Sequence, residues 1–277
     1  MTNFLLAIKL WFIVHITPGK LINTPSPIEK EGWQLTFNDE FDKGEVDYTK
    51  WRDYAYFGYR FHEGNIFKNG TAPDEYYAED AFTFTDSTIK ISTKRQDTEI
   101  EHIDWDGKNW GKFTIPYRVG HLESVDSFEQ KYGYFEARIK FGGEPGHWDA
   151  WWLASKYAWP PEIDILERWS GKYRERFNST LHWGKVEDGT KGAKGYKNKV
   201  KSTYQDFHIY SCEWNEENIL IFYDGLLINK FKTPKDFIHP MHLIINTGVS
   251  MSPKERLDEA MLPDYMEVDY VRAYTKK

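Results

Sequence analysis

The sequence predicts an all-β fold, a β-sandwich or jelly roll, and three observations predict it. Polar and apolar residues alternate in short segments such as 81–85 and 133–141, as they do in half-buried strands. Asp224-Gly225 stands between two apolar runs and is a strong hairpin signal. No segment before residue 250 keeps an apolar 3.6-residue period for three helical turns. Many strands with almost no helix are typical of two-sheet architectures.

The predicted strands follow one another with turns between them. They cover residues 81–85, 89–93, 133–141, 207–214, 219–223, 226–231, 242–247 and 266–274. One short helix is predicted over 253–260. Together these elements predict one large β domain over residues 32–277.

Residues 1–31 are expected to lie outside that domain. An apolar segment, 4–16, precedes a proline-rich linker over 23–31 and is too short to span a bilayer. Its length and position suit a secretory signal, although it lacks an early basic residue and a clear cleavage site. The alternative is an ordinary buried or fraying terminal segment. With the signal, the protein would be secreted, periplasmic or held at the cell surface.

Composition narrows the function classes. The 277 residues are 17% aromatic, which excludes a disordered chain, and their mean hydropathy of −0.69 excludes a multi-span membrane protein. A net charge of −7 argues against a duplex nucleic-acid binder. So many aromatic rings in a polar chain favour a sugar-binding surface. Cys212 is the only cysteine, so we expect no intramolecular disulfide, no cysteine-based metal cluster, and a buried thiol.

Positive charge is concentrated in one segment, residues 168–201. It holds ten basic and three acidic residues, a net charge of +7, and the rest of the chain therefore carries −14. Either this segment is a solvated loop face, or it supplies a local field for an anionic substrate.

The most informative segment is Glu162-Ile-Asp-Ile-Leu-Glu167, whose composition is that of a strand. Alternation places Glu162 and Asp164 on one face and the isoleucines between them on the core side. Glu167 is an odd number of residues from Glu162 and would face the core in a regular strand, where an unpaired carboxylate is costly. A β-bulge around Ile165 and Leu166 returns Glu167 to the shared face. The spacing of the acids along the strand, together with the bulge, therefore predicts that all three lie on one surface.

Clustered carboxylates repel one another, which raises the pKa of at least one of them. One ionised and one protonated carboxyl are what glycoside hydrolysis needs. An acidic solvent-facing strand or a calcium site are the alternatives.

The same segment resembles the E-x-D-x-x-E signature of glycoside hydrolase family 16, in the bulged form of laminarinases, agarases and carrageenases. Further segments are similar to the family's landmarks in order, and they cover nearly the whole chain. These segments are 33–42, 132–138, 146–153, 180–183, 223–225 and 268–272. The resemblance implies a concanavalin A-like jelly roll with a concave substrate cleft.

The resemblance also implies the roles of individual residues. Glu162 would be the nucleophile, Asp164 the assisting acid and Glu167 the general acid/base. Trp148, Trp152 and Trp159 are either sugar-stacking walls or core residues. His182 is expected to border the acid/base on the neighbouring strand and to contact substrate, or else to be structural.

Two departures from the family pattern concern sugar specificity. Asp74 and His121 stand where many members have asparagine and arginine on the glycone side of the cleft. A calcium ion often ties the family's first and last strands. The matching ligands would be Glu40 through its backbone carbonyl, Asp269, and a carbonyl of the turn near Ser87. An ordinary strand-end salt bridge is the alternative at these positions.

The sequence therefore predicts a retaining endo-glycosidase acting on a β-linked polysaccharide, with a β-1,3-glucan favoured. An anionic or sulfated galactan of the carrageenan, porphyran or agar type is the alternative substrate. A non-catalytic carbohydrate-binding jelly roll is the alternative function, and transglycosylation would use the same acids. We expect no cofactor for the chemistry, calcium at most as a structural ion, no nucleic-acid partner, no membrane span, and a monomer.

Overall fold

A computed structural model provides the structure of the protein. It describes residues 32–55, 65–69, 72–103, 109–143, 147–169, 175–185, 189–200, 204–249 and 258–277. The apolar segment and linker predicted over 1–31 lie outside the described residues.

The described residues are dominated by β-strands, as the sequence predicts. In chain order the strands are β1 (Trp33–Asp39), β2 (Asn65–Asn69), β3 (Ala72–Tyr77), β4 (Phe82–Phe84), β5 (Ile89–Ile103), β6 (Asn109–Val119), β7 (His121–Glu123), β8 (Gly133–Phe141), β9 (His147–Ala154), β10 (Glu162–Trp169), β11 (Arg176–Trp183), β12 (Gly192–Lys199), β13 (His208–Trp214), β14 (Asn218–Tyr223), β15 (Leu226–Lys232), β16 (His242–Val249) and β17 (Asp264–Lys276). Two short 3₁₀ helices, Glu79–Ala81 and Glu259–Met261, are the other regular elements in the described part of the chain. No helix among the described residues is long and apolar enough to cross a membrane.

Within the described ranges, the strands form two sheets. The larger has eleven strands, ordered β15-β14-β13-β8-β17-β5-β6-β3-β2, with β1 paired to β17 and β4 paired to β5. The smaller has six, ordered β12-β11-β10-β9-β16-β7. The two sheets form a jelly roll whose inner faces bury one hydrophobic cluster. That cluster takes Phe135 and Val268 from the larger sheet, and Trp151, Ile163 and Leu243 from the smaller one.

Local chemistry explains the tight turn between β14 and β15. Asp224 and Gly225 have φ angles of 47° and 73°, and Tyr223 pairs with Leu226. Two consecutive positive φ values make the I′ type of hairpin turn, in which an aspartate followed by glycine is strongly preferred. The predicted hairpin is confirmed.

Some element predictions need correction. Of the helix predicted over 253–260, residues 253–257 lie outside the described residues, and the end of the segment enters the 3₁₀ helix Glu259–Met261. The strand predicted over 89–93 continues to Ile103, because β5 and β6 form a long hairpin. Cys212 is buried in β13, as expected, and it carries a free thiol whose pKa is raised by burial.

Candidate active site

A β-bulge in β10 puts the three acids on one face. Against β9, Asp164 pairs with Trp152 but Leu166 pairs with Trp151, so one extra residue is accommodated between them. The register against β11 shifts at the same place, between Asp164 and Glu167. Ile163, Ile165 and Leu166 are fully buried. The predicted bulge and the predicted common face of the acids are therefore confirmed.

This face forms the floor of a cleft of about 550 Å³. The floor comes from β9, β10 and β16 of the smaller sheet, and β3 of the larger sheet contributes to the wall together with the loop between β9 and β10. The lining residues are Glu75, Tyr77, His121, Trp148, Ala150, Trp152, Ser155, Lys156, Tyr157, Ala158, Trp159, Glu162, Asp164, Glu167 and Asn246.

Glu162 is held from two sides. The indole Nε1 of Trp159 donates a hydrogen bond to Glu162 Oε2 at 2.8 Å. His182 lies across from Glu162 in the β10–β11 register, with Nε2 at 3.5 Å from Glu162 Oε1 and 3.3 Å from Asp164 Oδ2. These contacts fix the carboxylate at the edge of the cleft with one oxygen toward the indole and the other toward the imidazole.

The two acids deeper in the strand are shifted toward their protonated forms. Burial, and then the nearby charges of Glu162 and Glu167, raises the pKa of Asp164 well above its usual range. Burial and the charge of Glu162 raise the pKa of Glu167 from 4.5 to about 7, while a hydrogen bond from the Thr180 hydroxyl at 3.4 Å opposes the change. The site therefore offers proton donors near neutral pH next to a third carboxyl group.

The structure corrects the expected position of His182. It was expected to border Glu167, but it lies beside Glu162 and Asp164, and the β11 neighbours of Glu167 are Asn178 and Thr180. The reason is register, since His182 is aligned with the first acid of β10. Burial lowers the pKa of His182, with a smaller contribution from the charge of Lys191, whereas the charge of Glu162 opposes the change.

All three candidate tryptophans line the cleft. Trp148 is partly buried and its ring is parallel to that of Trp169, at an angle of 7° and a centroid distance of 6.2 Å. Trp152 donates from Nε1 to Asn246 Oδ1 at 2.8 Å. Trp159 is 43% exposed. The structure therefore places all three rings at the cleft, and stacking of sugars on them stays a prediction.

The other end of the cleft holds residues that the sequence reasoning missed. Glu75 and Tyr77 reach it from β3, and Glu75 Oε1 accepts a hydrogen bond of 2.6 Å from the Val249 backbone N–H. His121, which the sequence did predict, also lines the cleft at 1% exposure; its ring centroid lies 4.7 Å from that of Tyr77 at an angle of 30°. Its Nε2 lies 3.2 Å from Glu123 Oε2. The signal for Glu75 and Tyr77 was their i, i+2 spacing, which places them on one face of a strand. The side chain of the neighbouring candidate Asp74 lies outside the described residues.

The candidate calcium ligands show side-chain partners of their own. The carboxylate of Glu40 accepts hydrogen bonds of 2.9 and 2.7 Å from Arg272. Asp269 is bonded to Arg138, and the Ser87 backbone N–H points to the Thr85 hydroxyl at 3.4 Å. The side chains thus form the strand-end ion pairs of the alternative interpretation, which do not favour a cation, because each carboxylate already faces a guanidinium. A calcium ion held through backbone carbonyls stays a prediction.

The basic segment divides into a buried and an exposed part. Arg168 is fully buried and bonds to Asp149 Oδ2 at 3.2 Å and the Gly142 carbonyl at 2.8 Å, so its charge is neutralised internally. Lys191, Lys197 and Lys199 are exposed on or next to β12. Lys172 and Arg174 lie outside the described residues.

A jelly roll with a tryptophan-walled cleft over three clustered carboxyl groups defines the class of β-sandwich glycoside hydrolases. The family model described as "Glycosyl hydrolases family 16" matches residues 69–272. The chain belongs to this family, and the predicted resemblance is confirmed.

Three relatives illustrate the range of similar proteins. The chain is 31% identical over 195 residues to an endo-1,3-1,4-beta-glycanase of Rhizobium meliloti (strain 1021), which covers 70% of this chain and 39% of the relative. It is 26% identical to a keratan-sulfate endo-1,4-beta-galactosidase of Sphingobacterium multivorum, covering 92% of this chain and 58% of the relative. The chain thus spans less than two thirds of the length of either relative. Among solved structures, the catalytic domain of an endo-1,3-beta-glucanase (laminarinase) from Thermotoga petrophila RKU-1 superposes with a TM-score of 0.68 at 27% identity, covering 88% of this chain and 98% of that domain.

Proposed function

We propose that this protein is a retaining endo-glycoside hydrolase that cleaves a β-linked polysaccharide, with a β-1,3-glucan as the favoured substrate. The observation that carries the proposal is the raised pKa of Glu167, about 7, on the same cleft face as Glu162. A protonated and an ionised carboxyl group are the two parts that double displacement requires.

In the first step Glu162 is the nucleophile. One carboxylate oxygen bonds to the anomeric carbon while the bond from that carbon to the leaving oxygen breaks. Glu167, protonated below a pH of about 7, transfers its proton to that oxygen. The result is a glycosyl ester on Glu162 and a free aglycone, with Glu167 ionised.

In the second step Glu167 acts as the base. It takes a proton from a water molecule, whose oxygen bonds to the anomeric carbon and releases Glu162 as a carboxylate. Two inversions restore the original configuration. Glu167 donates and accepts every proton, and Glu162 forms and releases the ester, so the chemistry requires no cofactor.

Asp164 assists the nucleophile. It shares a side-chain hydrogen bond with Glu162, and its raised pKa keeps a proton available for that bond. A protonated Asp164 keeps a second negative charge away from Glu162, and Trp159 donates a further hydrogen bond to Glu162. The His182 ring lies alongside, with Nε2 at 3.5 Å from Glu162 Oε1. Removing any of these donors is expected to misalign the attacking oxygen.

The glucan assignment is supported by the relatives and by the aromatic cleft. The Thermotoga protein is named as an endo-1,3-beta-glucanase (laminarinase) and the Rhizobium protein as an endo-1,3-1,4-beta-glycanase. Trp148, Trp152 and Trp159 offer flat surfaces for neutral sugar rings. A sulfated or otherwise anionic galactan is the second candidate, favoured by the exposed lysines of β12 and by the keratan-sulfate-cleaving relative.

The test of the proposal is Glu162→Gln, compared with Glu216→Gln, which removes one exposed charge far along the chain. Hydrolysis is measured by reducing ends from laminarin, agarose and carrageenan. Loss of the nucleophile should reduce kcat by about a thousandfold or more, while the Glu216 variant keeps wild-type rates. Glu162→Gln should still bind oligosaccharide, which separates an enzyme from a binding-only jelly roll.

Product stereochemistry checks the mechanism separately. Proton NMR of the first product of the wild-type enzyme should show the β-anomer, since a retaining enzyme keeps the configuration. Inverted product, or full activity in Glu162→Gln, would overturn the roles assigned above. The absence of reducing ends from laminarin would overturn the glucan assignment alone.

The proposal also covers the location of the protein, its oligomeric state and a structural calcium ion. Secretion or a periplasmic or cell-surface location fits a polymeric substrate, and fractionation of cells expressing the full chain tests it. A monomer is expected, and light scattering tests it. Structural calcium would raise the thermal unfolding midpoint on titration of CaCl₂ into chelator-treated protein.

A further inference from the structure

The cleft floor continues beyond the acids across β11 and β12. Directly paired residues of antiparallel strands point to the same side of a sheet. Glu167 pairs with Asn178, and Asn178 pairs with Lys197, so these three residues form one row across β10, β11 and β12 on the cleft side. Arg176 and Lys199 form the next pair on the same side.

The β12 residues beside the other acids are small. His182 and Thr180, the partners of Glu162 and Asp164, pair with Ala193 and Gly195. A Cβ on Gly195 would lie 2.9 Å from the Thr180 hydroxyl oxygen, the group that donates to Glu167. The small β12 residues therefore leave the sheet surface next to the acids unobstructed. A polysaccharide that crosses the sheet can continue over this surface toward Lys197 and Lys199.

Three lysines at this end of the sheet have no carboxylate partner among the described residues. Lys191, Lys197 and Lys199 take part in no ion pair with any carboxylate in the described ranges of the chain, and Lys197 and Lys199 are exposed. Lys191 Nζ lies 3.8 Å from the centroid of the Trp159 ring, the same ring that donates to Glu162. A cation thus stands at the mouth of the cleft, and two more follow about two strand spacings, ~10 Å, from the acids.

We infer that the β11–β12 hairpin is a subsite for an anionic substituent, a sulfate ester or a carboxylate, on the polysaccharide that the acids cleave. The inference rests on the endo-glycosidase of the proposed function, because the polysaccharide must lie across the sheet to bring its substituents over Lys197 and Lys199. Of the two proposed substrates, it concerns the anionic one. Lysine recognises such a group as a mobile point charge rather than through a fixed fork. The subsite therefore prefers charged chains without demanding one substitution pattern.

The test measures binding, so it does not depend on turnover. In the Glu162→Gln protein, the affinities for laminarin, sulfated laminarin and carboxymethylated laminarin are compared at low salt, together with carrageenan and its desulfated form. The lysines are then changed as a pair, Lys197→Gln with Lys199→Gln. A matched pair on β15, Lys230→Gln with Lys232→Gln, removes the same charge from an exposed strand of the other sheet.

On at least one of the two polysaccharide backbones we expect the anionic form to bind more tightly than its neutral counterpart. Substitution of the β12 lysine pair should reduce that ratio of affinities about fivefold, because each exposed ion pair contributes modestly. The β15 pair should leave the preference unchanged, and added salt should reduce it in the parent protein.

A preference shared by sulfated and carboxymethylated laminarin indicates a site for any anion, and a preference for the sulfated form alone indicates sulfate recognition. Equal reduction by both lysine pairs, or no preference on either backbone, overturns the inference. A third outcome is that the lysines determine the binding preference but the wild-type protein hydrolyses none of these polysaccharides. That outcome would refute the proposed function and leave the subsite standing.

Discussion

The raised pKa of Glu167 means that ionisation of this carboxyl group lowers the free energy of unfolding. Replacing Glu167 by a neutral residue should therefore stabilise the folded protein at higher pH. The ordinary glutamate value is 4.5 and the folded value is about 7. Between these two pH values the folded state binds more protons than the unfolded state, so stability falls as pH rises through this window and stays low above it. A difference of about 2.5 pH units corresponds to about 3 kcal/mol of the free energy of unfolding.

Glu167→Gln removes the titration and keeps an oxygen that can accept from the Thr180 hydroxyl. The variant should therefore be more stable than wild type by about 3 kcal/mol at pH 8, with the gain shrinking to near zero below pH ~4.5. Urea unfolding at pH 4, 6 and 8 measures the difference, and Glu216→Gln controls for the loss of one negative charge. A variant whose stability difference from wild type is the same at all three pH values would refute the reasoning, because the effect would then be packing rather than protonation.

Three further results are expected. The kcat/KM for the preferred glucan should fall as pH rises through about 7, since Glu167 must be protonated to act as the acid; a profile flat to pH 9 contradicts this. Trp159→Phe removes the N–H that donates to Glu162, and kcat should fall about tenfold or more with circular dichroism unchanged, the loss of one hydrogen bond to a charged group; wild-type kcat would assign the indole to sugar contact alone. Arg168→Met removes the guanidinium from the buried Asp149 carboxylate, leaves it with His147 Nδ1 at 3.1 Å, and should cost about 3 kcal/mol in urea unfolding; a loss below 1 kcal/mol would mean that His147 alone satisfies Asp149.

The catalytic strand could be predicted from sequence because its information is local. Alternation fixes the faces of Glu162 and Asp164, and the odd spacing to Glu167 requires a bulge, which the structure contains. A prediction of this kind needs only the period of a strand and the cost of burying a carboxylate.

The neighbours of the acids could not be predicted in the same way. His182 was placed beside the wrong glutamate because register between two strands is set by the turn that joins them and by packing, neither of which a short motif encodes. Glu75 reaches the cleft from the other sheet, so its proximity depends on how the two layers pack. The extension of β5 beyond residue 93 was missed because that part of the strand is mostly polar and lacks apolar alternation.

The lysines of β12 have a second consequence, for association between copies of the protein. In the described part of the chain β12 is the last strand of the six-stranded sheet, so its outer backbone N–H and C=O groups have no strand to pair with. Such an edge is a template for another edge, and charged side chains, lysine above all, are a common means of blocking that pairing. Lys194, Lys197 and Lys199 along this strand repel a second copy approaching edge to edge. Replacing these lysines, as the binding test does for Lys197 and Lys199, would therefore also lower the protein's resistance to aggregation.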